Sequence, residues 1–228
     1  MATNYAPRIV TDGLILCLDA ACKRSYPRSG TSWKDLVGSN NATLTNGPTF
    51  GDDKGGSFTF DGTDDYVDFT ISNLSDPNTI EMFCKLPADI NSKMMFGFLR
   101  YDVFCFENAM GFNTSNGDIY GLSSGLVDNL NLKDNWNHYV FEMNASVSYT
   151  NNKIYVNGVE QSLGQQRKTE ISSYRNFNSG VGRIATWTRS SWATYVMDMQ
   201  LGYFRVYNRA LSSDEIRQNY NSAKGRFV

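Results

Sequence analysis

The sequence has no long hydrophobic run, no excess of charge of one sign and only one histidine. Its longest apolar segments, such as GLILCL at 13–18, are far too short to cross a bilayer. The N-terminal residues MATNYAPRIV contain no apolar segment of the kind that directs secretion. The formal net charge is −2, so no basic surface argues for nucleic acid or an anionic membrane as a partner. We therefore expect a chain made in the cytosol that neither binds nucleic acid nor inserts into a membrane.

The four cysteines have no C-x-x-C spacing, which argues against the most recognisable redox and zinc motifs. Cys17, Cys22, Cys84 and Cys105 lie in or beside apolar, strand-like stretches. We expect them to be buried free thiols, as is usual in a reducing compartment. A zinc site would need further ligands, and His138 is the only histidine. We expect no zinc site and no cofactor.

What the chain does contain is a series of short strand-like segments separated by clusters of Asn, Asp, Gly and Ser. Apolar residues alternate in TIEMFCK (79–85) and in NHYVFEMN (137–144), which predicts strands with one face in a core. The segment ATYVMDMQLGYFRVYN (193–208) is apolar on both faces and predicts a long central strand. No linker or repeat of fixed period divides the chain. The pattern predicts one antiparallel sandwich.

Two segments predict hairpins. In SFTFDGTDDYVDF (57–69), alternating apolar residues run into Asp61-Gly62 and return after it. In NKIYVNGVEQ (152–161), the dipeptide Asn157-Gly158 is the strongest short-range hairpin signal.

The C-terminal segment predicts a capped helix. Ser212 followed by Glu215 three residues later forms a capping box. Leu211 and Ile216 are spaced for a hydrophobic staple, and Gly225 is a plausible end of the helix. The apolar face of this helix consists of Ile216, Tyr220 and Ala223. We predict that the helix covers one patch of a sheet.

These segments together resemble the concanavalin A-like, laminin-G-type jelly-roll family, in particular its phage and bacterial members. The resemblance is carried by GLILCLDAACKRSYPRSGTSWKDLVGSNNATLTNGPTF (13–50), SFTFDGTDDYVDF (57–69), TIEMFCK (79–85), NWNHYVFEMN (135–144), KIYVNGVEQ (153–161), GVGR (180–183) and GYFRVYNRALSSDEIRQNYNSAKGRF (202–227). It implies an all-β fold: an antiparallel two-sheet jelly-roll sandwich with a short C-terminal helix and loops on a rim. We expect residues 13–228 to form this domain, and residues 1–12 to form a short leader that docks on a neighbouring subunit.

An enzymatic role is not expected. Glycanases on this fold carry a Glu-x-Asp-x-Glu run on one strand, and none of the 23 acidic residues occurs in such a run. The long strand at 193–208 holds a single carboxylate, Asp198. One histidine gives no persuasive Ser-His-Asp or Cys-His arrangement, and glycine-rich phosphate loops are absent.

An acidic cluster admits two interpretations. Asp61, Asp64 and Asp65, with Asp68 close by, offer oxygens of the kind that Ca²⁺ binds, and relatives of this fold hold Ca²⁺ at a rim loop. The same residues are also typical turn formers, whose side chains accept hydrogen bonds from nearby backbone N–H groups. We favour the turn, because the regular ligand spacing of a calcium loop is missing.

The segment GRIATWTRSSWATY (182–195) holds the candidate recognition residues. Trp187 and Trp192 lie in a polar loop together with Arg183 and Arg189. An exposed tryptophan at a rim stacks on a sugar ring or anchors a protein contact. The alternative is that one tryptophan folds back onto the sheet edge, since large aromatics are mostly buried.

The fold usually works outside cells, yet the chain begins without an export signal. We therefore hypothesise a non-enzymatic protein of the virion exterior, such as a capsid decoration protein of a phage, assembled in the host cytoplasm. Its partners would be other virion proteins and host-surface glycans, and it could form oligomers. The alternatives are a lectin-like carbohydrate-binding module and a bacterial adhesion module.

Overall fold

The computed structural model describes residues 8–72, 74–99, 101–114, 116–144, 149–169, 180–188 and 194–228. Within these ranges the strands are β1 Leu14–Asp19, β2 Ser32–Trp33, β3 Ala42–Thr45, β4 Thr49–Gly51, β5 Ser57–Thr59, β6 Tyr66–Thr70, β7 Asn78–Lys85, β8 Lys93–Phe98, β9 Asp102–Phe106, β10 Ala109–Asn113, β11 Ile119–Leu122, β12 Trp136–Met143, β13 Lys153–Val156, β14 Val159–Glu160, β15 Gly164–Arg167, β16 Val181–Ile184 and β17 Gln200–Tyr207. The helices are α1 Ser124–Asn129 and α2 Ser213–Phe227, with 3₁₀ turns at Asp53–Gly55 and Tyr149–Asn151. Neither described α-helix has the length and apolar character needed to cross a membrane.

The strands form two antiparallel sheets. The eight-stranded sheet has the order β14-β13-β12-β7-β17-β5-β4, and β1 also pairs with β17. The nine-stranded sheet has the order β15-β11-β10-β9-β8-β16-β6-β3-β2. This architecture confirms the predicted all-β jelly-roll sandwich with a C-terminal helix.

The main hydrophobic core lies between the two sheets. Alternate residues of β7 and β12 point into it, as their sequence pattern predicts: Ile80, Met82 and Cys84 from β7, and Tyr139, Phe141 and Met143 from β12. Val140 points to the other side of its sheet and packs with Tyr155 and Ile216. Each large apolar side chain buried in this way contributes about 1.5–3 kcal/mol.

The hairpin predicted at Asn157-Gly158 is confirmed. Strand β13 pairs with β14, with Val156 opposite Val159. The φ angles of Asn157 and Gly158 are 52° and 81°. Positive φ at both central residues is what a type I′ turn requires, and its twist matches that of the two strands.

The hairpin predicted over 57–69 is wrong. Strand β5 pairs with β4 and β17 in the eight-stranded sheet, whereas β6 pairs with β3 and β16 in the nine-stranded sheet. The intervening residues carry the chain from one sheet to the other. Asp61-Gly62 specifies a change of direction, but the partner of each strand depends on packing: Phe58 and Val67 enter one core from opposite sheets.

The long strand predicted over 193–208 is central but shorter than expected. Strand β17 pairs with β7 on one side and with β1 and β5 on the other. The described residues before β17 belong instead to a loop, in which the Met197 N–H donates to the Ala185 carbonyl at 2.8 Å. Met197 and Met199 of this loop are buried in the main core, although they lie outside the strands.

The predicted N-terminal cap of α2 is confirmed. The Ser212 hydroxyl accepts a hydrogen bond from the Glu215 N–H at 3.3 Å, and the Glu215 carboxylate accepts one from the Ser212 N–H at 2.8 Å. Leu211 and Ile216 are buried in one cluster, as a staple requires. This network satisfies donors that would otherwise be exposed at the first turn.

The predicted end of α2 at Gly225 is wrong, because the helix continues to Phe227. Phe227 is 2% exposed and stacks on Phe83 with the ring centroids 4.2 Å apart. Burying this ring contributes about 2–3 kcal/mol, which exceeds the cost of about 1 kcal/mol for a glycine within a helix. The helix therefore lies on the outer face of the eight-stranded sheet, as predicted.

The described end of the leader packs on its own chain. Val10 is 8% exposed; its N–H donates to the Asn219 side chain at 2.8 Å, and its carbonyl accepts from the Tyr207 hydroxyl at 3.1 Å. The Gln218 side chain donates to the Arg8 carbonyl at 2.7 Å. The docking of residues 1–7 on a neighbouring subunit stays a prediction, because these residues lie outside the described part of the chain.

All four cysteines are free thiols, as expected. Cys17, Cys84 and Cys105 are buried, as expected, whereas the expected burial of Cys22 is wrong: this residue follows β1 and is partly exposed. Burial raises the pKa of the Cys84 thiol well above its ordinary value, so this side chain acts as a small apolar core residue.

Candidate functional site

A pocket of about 330 Å³ lies on the outer face of the nine-stranded sheet, on the side turned away from the core. Its apolar wall consists of Met94, Phe104, Phe106, Trp187 and Tyr195. Its polar wall consists of Ser92, Asn113, Asn116, Gly117, Arg167 and Lys168. An apolar concavity with a few convergent polar groups is the usual form of a small-ligand site.

Strand β9 supplies the aromatic floor by simple alternation. Val103 and Cys105 point into the main core, so Phe104 and Phe106 between and beyond them point outward. Phe104 belongs to a separate apolar cluster on this outer face, against which Phe106 and Trp187 pack.

A loop after β16 folds over this floor and completes the aromatic wall. The Met94 N–H donates to the Tyr195 carbonyl at 2.8 Å, and the Trp187 N–H donates to the Thr194 carbonyl at 3.1 Å. The ring of Tyr195 lies edge-on to both neighbours, with centroid distances of 5.5 Å to Phe104 and 5.6 Å to Trp187. Trp187 is therefore half-buried against the outer face of the nine-stranded sheet.

The turn between β10 and β11 shapes the polar wall. The Asn113 side-chain oxygen accepts from the Gly117 N–H at 2.9 Å. Asp118 is fully buried and accepts from the N–H and hydroxyl of Thr114 at 3.0 and 2.9 Å. Burial raises the pKa of Asp118, although these hydrogen bonds oppose the rise. This carboxylate holds the turn and does not line the pocket.

Arg167 ends the edge strand β15 and reaches across the turn. Its guanidinium lies over the Phe106 ring, 4.2 Å from the centroid, and one NH donates to the Gly117 carbonyl. The neighbouring Lys168 ammonium donates to the Asn116 carbonyl at 2.9 Å. Two cations therefore lie at the β15 edge of the sheet, whereas Tyr195 is hydrogen-bonded to β8, with β11, β10 and β9 between them.

The predicted site residue Arg183 lies on the same sheet face but does not line the pocket. Its Nε donates to the Asp68 carboxylate at 2.9 Å, and its guanidinium lies 4.5 Å from the Tyr66 ring centroid. It also donates to the Trp187 carbonyl at 3.4 Å. Arg183 therefore supports the loop that carries Trp187.

Of the other predicted residues, Arg189 and Trp192 lie outside the described residues. The structure adds Phe104, Phe106 and Arg167 to the site, which the sequence analysis did not single out. The alternation of MMFGFLRYDVFCFEN (94–108) was a usable signal for the two phenylalanines, since it separates an inward from an outward set. No local pattern marks Arg167, because its partners are distant in the sequence.

The acidic cluster makes the hydrogen bonds of a turn. The Asp61 carboxylate accepts from the Thr63 N–H at 2.7 Å, a bond that lowers the pKa of Asp61. The Asp65 carboxylate accepts from the Asp61 N–H at 3.1 Å, and burial raises the pKa of Asp65. One oxygen from each of Asp61, Asp64 and Asp65 lies within 4.8 Å of the others, a spacing that also suits a cation.

We propose that these three carboxylates form a turn and not a functional calcium site. Ca²⁺ is then expected to raise the melting temperature by no more than a few degrees. A ligand stabilises the folded state only in proportion to how tightly it binds there, and a turn without a calcium site binds the ion weakly. Thermal unfolding with Ca²⁺ and with EDTA measures this, for the native chain and for Asp64→Ala. A larger rise that EDTA reverses and Asp64→Ala abolishes would show a calcium site.

A second concentration of polar groups lies under α2, on the opposite side of the molecule. The Glu81 carboxylate is fully buried. It accepts hydrogen bonds from Tyr203 and Arg205, both at 2.9 Å, and from Asn219 at 2.7 Å. The Nε2 atom of His138 lies 3.1 Å from the same carboxylate. Burial alone would raise the pKa of Glu81, but Arg205 and His138 outweigh it and lower the pKa to about 2. Asn219 belongs to α2 and Glu81 to β7, and both are buried. Their hydrogen bond therefore joins α2 to the sheet.

Comparison with protein families identifies a relationship over most of this chain. A laminin-G-type family model, described as the concanavalin A-like lectin/glucanases superfamily, matches residues 61–217. The matched range includes β6 to β17 and the residues of the pocket. No curated protein matches the chain.

Solved structures with the same fold include a sialidase and toxin binding domains. The Trypanosoma rangeli sialidase in complex with sialic acid has a TM-score of 0.64 and 16% identity, covering 96% of this chain and 34% of the sialidase. The binding domain of botulinum neurotoxin DC in complex with rat synaptotagmin II has a TM-score of 0.64 and 13% identity, covering 92% of this chain and 52% of that one. The same toxin domain in complex with SialylT has a TM-score of 0.63 and 15% identity, covering 93% and 52%. This chain therefore spans about a third to a half of these proteins, and at such identities the likeness shows the fold alone.

Proposed function

Because the chain belongs to the concanavalin A-like lectin/glucanases superfamily, we propose that it binds carbohydrate in the pocket between Trp187, Tyr195 and Phe104. The observation that carries this proposal is the aromatic wall beside hydrogen-bonding groups. The apolar faces of sugar rings pack on aromatic side chains, while their hydroxyls need donors and acceptors at the edge. Asn113, Asn116 and the cations of the polar wall supply those groups.

The proposed role is binding without hydrolysis. Glycoside hydrolysis in most families uses two carboxyl groups that flank the scissile bond. In the described part of the chain, no Asp or Glu lines this pocket. Two carboxylates on or beside the strands under the pocket, Asp102 and Asp118, are fully buried and hydrogen-bond to Asn113 and Thr114.

Trp187→Ala is expected to reduce glycan affinity by about five- to 150-fold, which corresponds to about 1–3 kcal/mol for an aromatic contact at the centre of a site. A glycan array and titration calorimetry measure the loss, at a temperature below the melting transition of the variant. Trp136→Ala is the matched control, because Trp136 is also half-buried but packs on Phe227, on the other side of the molecule. If glycan affinity is unchanged in Trp187→Ala, this pocket is not the glycan-binding site.

The exterior of a virion remains our hypothesis for the place where this binding occurs, with a bacterial adhesion module as the alternative. What supports it is the membership of a superfamily named for its lectins. Immunogold labelling of purified particles tests the hypothesis directly. Protein found only on bacterial cells would favour the alternative.

A further inference from the structure

We propose that the sugar recognised in this pocket carries a carboxylate group, which Arg167 binds. This inference rests on the proposed function, since it names the class of glycan that the same pocket accepts. Three observations support it: which arginines have a carboxylate partner, which charges surround the pocket, and where the aromatic wall lies.

Arg167 differs from the comparable arginines of the described chain. The other arginines that are buried or half-buried there each pair with a carboxylate: Arg183 with Asp68, Arg205 with Glu81, Arg209 with Glu215 and Arg226 with Asp19. Arg167 is half-buried too, but its described hydrogen bond goes to the neutral carbonyl of Gly117. Partly desolvated arginine is normally balanced by an anion. A ligand carboxylate would supply that anion.

The orientation of Arg167 suits such a ligand. One NH group is used by the Gly117 carbonyl, and the Phe106 ring covers one face of the guanidinium. These contacts hold the side chain in place and leave its other edge for the pocket. A guanidinium edge offers two parallel N–H donors that match the two oxygens of a carboxylate.

The surroundings favour an anion and oppose a cation. Lys168 adds a second positive charge to the same wall, and the described lining contains no acidic residue. The overall charge of the chain is −2, so this local excess of positive charge is a property of the pocket and not of the whole surface. Partially enclosed sites strengthen such interactions relative to open water.

The aromatic wall indicates that the ligand contains a ring as well as an anionic group. Tyr195 lies beside β8, and strands β11, β10 and β9 separate it from Arg167 on β15. Trp187, Tyr195 and Arg167 all line the pocket, whose volume of about 330 Å³ can hold a sugar ring. A free small anion would use the cations alone. An acidic sugar uses both walls at once, with its ring on the aromatic side and its carboxylate on Arg167.

The test compares probes that differ only in charge. Trigalacturonic acid, its methyl ester and a sulfated galactose trisaccharide are titrated into the full chain at two salt concentrations, with sialyllactose and the methyl ester of its carboxylate as a second matched pair. We expect the carboxylated member of each pair to bind at least about tenfold more tightly than the neutral member, and this preference to weaken at higher salt.

Variants assign the effect to Arg167. Arg167→Gln is expected to abolish the preference for carboxylated probes. Arg167→Lys, which retains the charge but not the planar pair of donors, is expected to keep only part of it. Arg24→Gln makes the same charge change at an exposed arginine outside the pocket and should leave binding unchanged. Melting curves establish that each variant is folded at the temperature of the titration.

The outcomes separate this inference from the proposed function. Equal binding of carboxylated and neutral probes, or tighter binding of the sulfated probe, overturns the inference that the ligand carries a carboxylate. A preference that Arg167→Gln and Arg167→Lys leave intact overturns the role of Arg167. Failure of every glycan to bind overturns the proposed function itself.

Discussion

Glu81→Gln is expected to lower the free energy of unfolding by about 3–5 kcal/mol, the usual cost of removing one partner of a buried ion pair. Arg205 would keep its charge at 6% exposure, without the carboxylate that neutralises it. An amide also presents an NH₂ group to a site whose neighbours are donors, among them Tyr203 and Asn219. At least one of these donors would lose its acceptor.

The effect of Glu81→Gln on the free energy of unfolding is expected to depend on pH. The pKa of Glu81 is lowered from 4.5 to about 2 in the folded protein, so its charge stabilises the fold fully above about pH 4.5, and this contribution is lost as the pH falls towards 2. The contribution is roughly 3 kcal/mol. The difference in stability between the native chain and Glu81→Gln should therefore narrow as the pH falls through this range.

Urea unfolding between pH 7 and pH 2.5 measures both effects. Glu107→Gln, at an exposed position, controls for the loss of one negative charge and should change stability by less than about 0.5 kcal/mol. If Glu81→Gln is as stable as this control at pH 7, the buried cluster does not hold α2 in place.

Ile216→Asp is expected to cost about 2–4 kcal/mol, because it places a carboxylate against apolar surface without a partner. Ile216 is fully buried and packs with Val140, Tyr155 and Tyr207 between α2 and the eight-stranded sheet. For a chain of this size the loss corresponds to a fall in melting temperature of roughly 4–16 °C.

Differential scanning calorimetry of Ile216→Asp and Asn221→Asp provides the comparison. Asn221 is exposed on the same helix, so its replacement adds the same charge without burying it and should leave the melting temperature nearly unchanged. Equal melting temperatures for the two variants would mean that α2 does not cover the sheet in solution and is available to a partner.

The features that the sequence predicts correctly depend on a few neighbouring residues. Ser212 and Glu215 cap α2 because both groups lie within one turn of the chain. Asn157-Gly158 forms a hairpin because the residues themselves tolerate the required positive φ. Alternation places Ile80, Met82 and Cys84 in the core because successive side chains of any strand point to opposite faces. Enough such local signals occur along the chain to predict the sandwich.

Contacts between distant segments could not be read in this way. Phe58 and Val67 are only nine positions apart, yet they reach the core from different sheets, because each strand pairs where its apolar face is best buried. Phe227 extends α2 past Gly225 because Phe83 lies beneath it. Arg167 meets Phe106, and shares a pocket with Trp187, only when β15, β9 and the loop after β16 come together on one sheet face. The spacing of side chains along a strand determines which face of the sheet each residue occupies. The pocket depends on which strands and loops the tertiary structure places side by side on that face.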